Sequence, residues 1–195
     1  STADIFPVVA RELGLTIIPH RLQMGNDSFL DGVNITPEEF ISRLSKTPGP
    51  VETSPPTVED FRETYIRLCQ STDTVISIHI SAKLSETYKN AAEARDLLRD
   101  RYRIVVVDTQ SASLGVGFIA QAAAVAANHG ASVDEVARLV RGMLPQTHVL
   151  FFVENAEYLQ RGGRLGKAQA ALGPLINIKP LLRLESGEIF PLEKV

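Results

Sequence analysis

The stretch from Thr74 to Ala94 reads TVISIHI, then SAKLSETY, then KNAAEA. The first segment is a run of β-branched residues, the signature of a buried strand. The last is rich in Ala and Glu and favours helix. Between them lies a turn carrying Ser81, Lys83, Ser85 and Thr87. In a parallel α/β sheet, ligands bind where strands end and helices begin. Helix N-termini there present free N–H groups and partial positive charge, so this turn is expected to receive an anion. It has no Gly-rich fingerprint, which disfavours a dinucleotide.

The same grammar continues downstream. Arg103 to Asp108 is a strand with three consecutive valines, followed by the hydroxyl-rich Thr109 to Ser113. Gly115 to His129 reads as an Ala-rich helix, apolar nearly all round and therefore expected to be buried on several sides. Gly130 ends it. Ser132 and Glu135 form a capping box for a helix reaching Leu144, and His148 to Val153 is a strand. Alternation of this kind predicts a parallel sheet with helices on both faces.

Upstream, Pro7 to Leu13 reads as a short helix closed by Gly14. Leu15 to Leu22 reads as a strand, Gly25-Asn26-Asp27 as a turn, and Ser28 to Leu30 as the returning partner. Thr36-Pro37-Glu38-Glu39 opens a helix through Leu44. Lys46 to Pro56, with four prolines and one glycine, is expected to be irregular. Thr57 and Asp60 cap a helix over Val58 to Gln70, with Cys69, read as a packed thiol, in its last turn.

The character changes after Val153. Tyr158 to Arg164 ends a short helix in a Gly pair flanked by arginines, and Leu172-Gly173-Pro174 breaks the next. Leu175 to Leu184 and Glu188 to Leu192 read as an antiparallel hairpin around Ser186-Gly187. The expected organisation is an α/β chain: a Rossmann-like three-layer parallel-sheet domain over 1–153, then the start of a smaller α/β domain over 154–195. The second unit has too few residues to close a core, so the sequence is expected to be part of a longer chain.

Composition narrows the function. The chain has 195 residues, 44% of them hydrophobic and 22% charged, as in ordinary soluble domains. A net charge of −3 gives no broad basic surface, which disfavours nucleic acid. Cys69 is the only cysteine, which excludes an intramolecular disulfide and fits a reducing cytoplasm. No apolar run approaches spanning length, so stable membrane insertion is not expected. The histidines form no metal-ligand pair, so no metal is expected, and no cofactor is expected either; the lack of a G-x-S-x-G elbow disfavours a hydrolase of that type.

The hydroxyls are more informative. Thr53, Ser54, Ser81, Ser85, Ser111 and Ser113 all fall in turns at expected strand ends. Each alone reads as a turn or cap residue; together they provide donors for a small carboxylate. Asp108 either serves the same crevice or bonds its following turn. His79 reads as a satisfied core residue. The Arg161-Gly162-Gly163-Arg164 run reads either as a helix exit with solvated arginines or as a carboxylate or phosphate clamp.

These residues carry a resemblance. Thr53-Ser54-Pro55-Pro56, the turn from Ile80 to Tyr88, Asp108 with Ser111 to Gly117, Tyr158 to Arg164 and Ile178-Lys179-Pro180 together resemble the DegV family of bacterial fatty-acid-binding proteins. Asp31-Gly32 and the opening Ser1 to Asp4 fit as well. The resemblance implies a Rossmann-like domain, a second α/β domain and a palmitate-like long-chain fatty acid between them. It places the carboxylate on Thr53 and Ser85, near Arg164. It also implies a partner, an ATP-binding fatty-acid kinase related to dihydroxyacetone kinases, to which the protein presents its lipid without being a catalyst itself. Two departures stand out. Glu86 replaces the usual glycine, and the family's opening strand, which ends in Asp-Ser, is not in this sequence. The rival expectation is a small-molecule hydrolase or transferase using Ser85, His79 and Asp108; a regulatory interaction module is a third.

Overall fold

The structure, a computed structural model, describes residues 2–44, 46, 51–154, 156–165 and 180–193. Its centre is a parallel pair, β4 (Thr74–His79) and β5 (Arg103–Asp108), in register from Thr74 opposite Arg103 to His79 opposite Asp108. Side chains alternate across the pair, as a period of two requires. Val75, Ile104 and Val106 join Phe61, Tyr65, Ala91, Ala94 and Leu98 on one face. Ile76, Ile78, Val105 and Val107 meet Ile119, Ala123, Val136 and Val140 on the other. Helices α3 (Val58–Leu68) and α4 (Thr87–Leu98) therefore cover one face, and α5 (Leu114–Asn128) and α6 (Val133–Met143) the other. This is the expected three-layer arrangement.

A second sheet precedes it. Helix α1 (Pro7–Glu12) leads into β1 (Arg21–Met24), which pairs antiparallel with β2 (Asp27–Leu30) on one side and β3 (Val51–Ser54) on the other. Helix α2 (Pro37–Leu44) links β2 to β3. Two expectations are corrected here. The strand placed over Leu15 to Leu22 begins only at Arg21, because Pro19 has no N–H to give a ladder. The Pro-rich segment expected to be irregular contains β3 in its second half, with Leu22 opposite Thr53; residues 47–50 lie outside the described set.

The third sheet is antiparallel, β6 (Val149–Phe152), β7 (Leu181–Glu185) and β8 (Glu188–Glu193), with α7 (Glu157–Arg161) between β6 and β7 in sequence. The hairpin expected around Ser186-Gly187 is present, and both residues take positive φ, 49° and 82°. That twist is the one a two-residue hairpin loop prefers. The strand read as His148 to Val153 pairs with β7 in this sheet, not with the parallel pair. Leu172-Gly173-Pro174, Leu175 and Ile178-Lys179 lie outside the described residues. Among the described residues, no helix is long and apolar enough to cross a membrane.

Candidate functional site

Three helices close their own N-termini. Thr57 and Asp60 bond reciprocally at α3, Ser132 and Glu135 at α6, and Thr36 and Glu39 at α2. Each box satisfies backbone donors that would otherwise be orphaned. Asp60 also takes a two-pronged bond from Arg21 at 2.8 and 2.9 Å, and that guanidinium holds its carboxyl well below the usual range. Glu39, Asp60 and Glu135 thus serve the caps expected of them, whereas Glu59 pairs with Arg62.

The helices that follow the parallel strands differ. α4 begins after Glu86 and α5 after Ser113, and neither N-cap side chain bonds its helix. Both starts open on a cavity of ≈ 680 Å³. Its polar end gathers His20, Asp31, Thr53, Ser85 and Arg164. The rest of the lining is mostly apolar, including Leu114, Phe118, Leu150, Phe151, Leu159, Leu184 and Ile189, with Thr2, Ser113, Thr147 and His148 among them. Five separate segments thus deliver the polar groups. Helix α5, expected to be buried on several sides, leaves Leu114 and Phe118 51% and 59% exposed along this cavity.

Thr53 reaches the cavity from β3, but its neighbour Ser54 is exposed and is not in the lining. Successive strand residues face opposite ways, so the two hydroxyls cannot serve one site. Ser81 is not in that lining either. Its side chain is fully buried, and its hydroxyl donates to the Gly187 carbonyl at 2.7 Å while accepting the Lys83 N–H. Nearby, Lys83 pairs with Glu188 at 3.1 Å. Ser81 therefore clasps the β7–β8 turn. Ser85, four residues on, faces the cavity, with its hydroxyl 2.7 Å from that of Thr87.

The arginine pair divides its work. Arg161 pairs with Glu157 one helical turn back, on an exposed surface. Gly163, at φ 71°, turns the chain so that Arg164 enters the cavity lining. Its guanidinium donates to the carbonyls of Leu84, at 3.3 Å, and Gly162. Those neutral acceptors hold the cation in place and leave its charge to attract an anion. Glu86 does not oppose it: its side chain is 70% exposed and lies 3.7 Å from Lys89 Nζ.

Ser85, His79 and Asp108 are each engaged elsewhere. His79, placed mid-strand from sequence, is the last residue of β4 and buried; its Nε2 lies 2.7 Å from Ser77 Oγ, and its ring meets Phe61 edge-on at 5.2 Å. Burial pulls its pKa down to about 3. Asp108 accepts the N–H groups of Gln110 and Ala82, the turn-bonding alternative. Among the described residues no hydrogen bond joins any two of the three. Ser113 bonds Asp4 at 2.5 Å, and the buried Ser111 hydroxyl has no partner among the described residues. Among those residues no cluster of three or more His, Cys, Asp or Glu is placed to hold a metal.

Sequence reasoning missed His20. It is 8% exposed, its Nε2 lies 3.2 Å from the buried Thr87 hydroxyl, and burial pulls its pKa down to about 4. A usable signal was its spacing of two from Leu22, which puts both on one side of an extended segment; both line the cavity.

Comparison with known proteins agrees with this architecture. The model of the DegV family, described as "Uncharacterised protein, DegV family", matches residues 1–195. A DegV domain-containing protein of Streptomyces coelicolor is 40% identical, and one of Caldanaerobacter subterraneus 35%; each match covers 100% of this chain and 69% of the relative. Among solved structures, a DegV family protein from Thermus thermophilus described for its fatty acid binding superposes with a TM-score of 0.90 at 35% identity. DegV of Bacillus subtilis, described as a fatty acid binding protein, gives 0.92 at 30%. Both structural matches cover 100% of this chain and 69% of the other. The chain belongs to the DegV family.

Proposed function

We propose that the protein carries a long-chain fatty acid of palmitate type, with its carboxylate at Thr53, Ser85 and Arg164 and its tail along the apolar walls. One observation carries this reading: the hydroxyls of Thr53 and Ser85 and the Arg164 guanidinium line a cavity whose remaining lining is mostly aliphatic and aromatic. The fatty-acid binding described for the Thermus and Bacillus proteins supports it. Burial of a palmitate-length tail at ~0.8 kcal/mol per methylene contributes on the order of 10 kcal/mol gross, much of it offset by ordering costs. The carboxylate must be hydrogen-bonded there, because an unpaired buried charge is prohibitive.

The role is carriage rather than catalysis. In our reading the exposed end of the site presents the carboxylate to an ATP-dependent fatty-acid kinase, and the setting is the cytoplasm. The unit that begins at 154 supplies part of the apolar wall through Leu159, Leu184 and Ile189; in this reading it encloses the acyl chain together with the unit over 1–153. The kinase role is tested by mixing protein, fatty acid, ATP and the cognate kinase; acyl phosphate formed equally well without the protein ends it.

The head-group assignment is tested by titrating palmitate and methyl palmitate into wild type, Thr53→Ala and Ser85→Ala. Each variant should lose roughly 1.5–3 kcal/mol for the acid, about ten- to a hundred-fold. The ester should bind as before, because the tail contacts remain. Unchanged acid affinity in both variants overturns the assignment.

A further inference from the structure

Ser85, Thr87 and His20 form a chain of two hydrogen bonds. Ser85 Oγ lies 2.7 Å from Thr87 Oγ1, and Thr87 Oγ1 lies 3.2 Å from His20 Nε2. Each hydroxyl owns one hydrogen, so the state of the imidazole decides where both point. With Nε2 bare, Thr87 donates to the ring and Ser85 must spend its hydrogen on Thr87. Ser85 then offers only lone pairs to the cavity. With a hydrogen on Nε2, the ring donates to Thr87 and Thr87 donates to Ser85. The Ser85 hydrogen is released toward the cavity. The Thr87 backbone N–H, 3.3 Å from Ser85 Oγ, is satisfied in both states.

We propose that His20 is a positioning residue for the head group: by donating from Nε2 to Thr87 it turns the Ser85 hydroxyl into a donor, and so selects a ligand that only accepts, a carboxylate, over one that donates, such as an alcohol. This rests on the fatty-acid reading above. The opposite state of the same chain would favour the alcohol. The ring stays neutral near pH 7 because burial depresses its pKa, so selection works through which nitrogen carries the hydrogen. After burial, the charges acting on it are the chain's N-terminal amine, which disfavours its protonation, Asp31, which favours it, and Arg164, which disfavours it; His79 is the neighbouring titratable ring.

The test combines one spectroscopic and one energetic reading on the protein. With ¹⁵N-labelled histidine, His20 Nε2 should show the protonated signature once palmitate is bound. His20→Phe should weaken palmitate roughly ten-fold or more while hexadecanol changes less than about two-fold. His20→Gln, which keeps a donor, should recover part of the loss. In a Thr87→Val background His20→Phe should add no further loss, because the chain is already cut. Equal losses for acid and alcohol, the same His20→Phe penalty without the Thr87 hydroxyl, or a bare Nε2 in the bound state each overturn the proposal. A wild type that binds no palmitate overturns the fatty-acid reading and this one with it. A wild type that binds normally beside a His20→Phe variant of equal affinity overturns this one alone.

Discussion

The N-termini of α3 and α4 use the same kinds of residue to opposite ends. At α3, Thr57 and Asp60 turn hydroxyl and carboxylate inward on the helix, and Arg21 neutralises the acid. At α4, Glu86 swings out to solvent and the hydroxyls of Ser85 and Thr87 face the cavity and His20. A side-chain acceptor folded over a helix start occupies the place an incoming anion would take. The contrast teaches that hydroxyl content alone does not mark a site. What marks it is a helix start whose polar side chains are left facing a cavity.

The sharpest way to break this contrast concerns α5, the other uncapped helix that opens on the cavity. Its first turn is held by close approach, and a Cβ at Gly117 would lie 2.3 Å from the Ala3 carbonyl oxygen. Gly117→Ala should therefore cost about 1–3 kcal/mol of stability, because backbone cannot yield as a side chain can. Urea denaturation checks this, and an unchanged midpoint would show that α5 has slack.

Next in size is Asp60→Ala. Loss of the cap should lower stability by about 1–2 kcal/mol without altering palmitate affinity. A comparable fall in affinity would erase the distinction between capped and open starts. The same carboxyl makes a pH prediction. Its folded pKa is depressed by Arg21, so its contribution is complete above the unfolded value near 4 and is lost as pH falls below that. The acid limb of a melting-temperature profile should therefore be shallower in Asp60→Asn than in wild type.

The smallest effect belongs to Glu86→Gln. With the carboxylate pointing to solvent, stability should move by less than about 0.5 kcal/mol and acid affinity by less than about two-fold. A several-fold gain in affinity would place Glu86 within electrostatic reach of the head group.

Legibility in the sequence followed the range of the interactions. The capping boxes, the Ser186-Gly187 turn and the β4-turn-α4 unit are written within a few residues, and all read correctly. β3 hid among prolines because its reason for being a strand is β1, some thirty residues away in the chain. Ser81 and Ser85 look alike in a string, and only the turn's geometry sends one to Gly187 and the other to the cavity. The spacing of His20 from Leu22 could place it on the cavity side, but not its bond to Thr87, which is 67 positions further on. The resemblance to a family supplied Thr53, Ser85 and Arg164 together; composition and periodicity alone offered six hydroxyls without ranking them.

The bond from Ser81 to the Gly187 carbonyl spans 106 residues. Closing so long a loop is entropically late, and contacts of that separation form after local ones. The parallel pair with its helices can assemble from neighbours in sequence, whereas the turn that holds Ser85 is locked only when the β7–β8 hairpin docks. Refolding should therefore proceed in an order: secondary structure and the Phe61–Tyr65 core first, ligand competence last. A nascent chain emerging from the ribosome would pass through a state that is already compact while its cavity is still unformed.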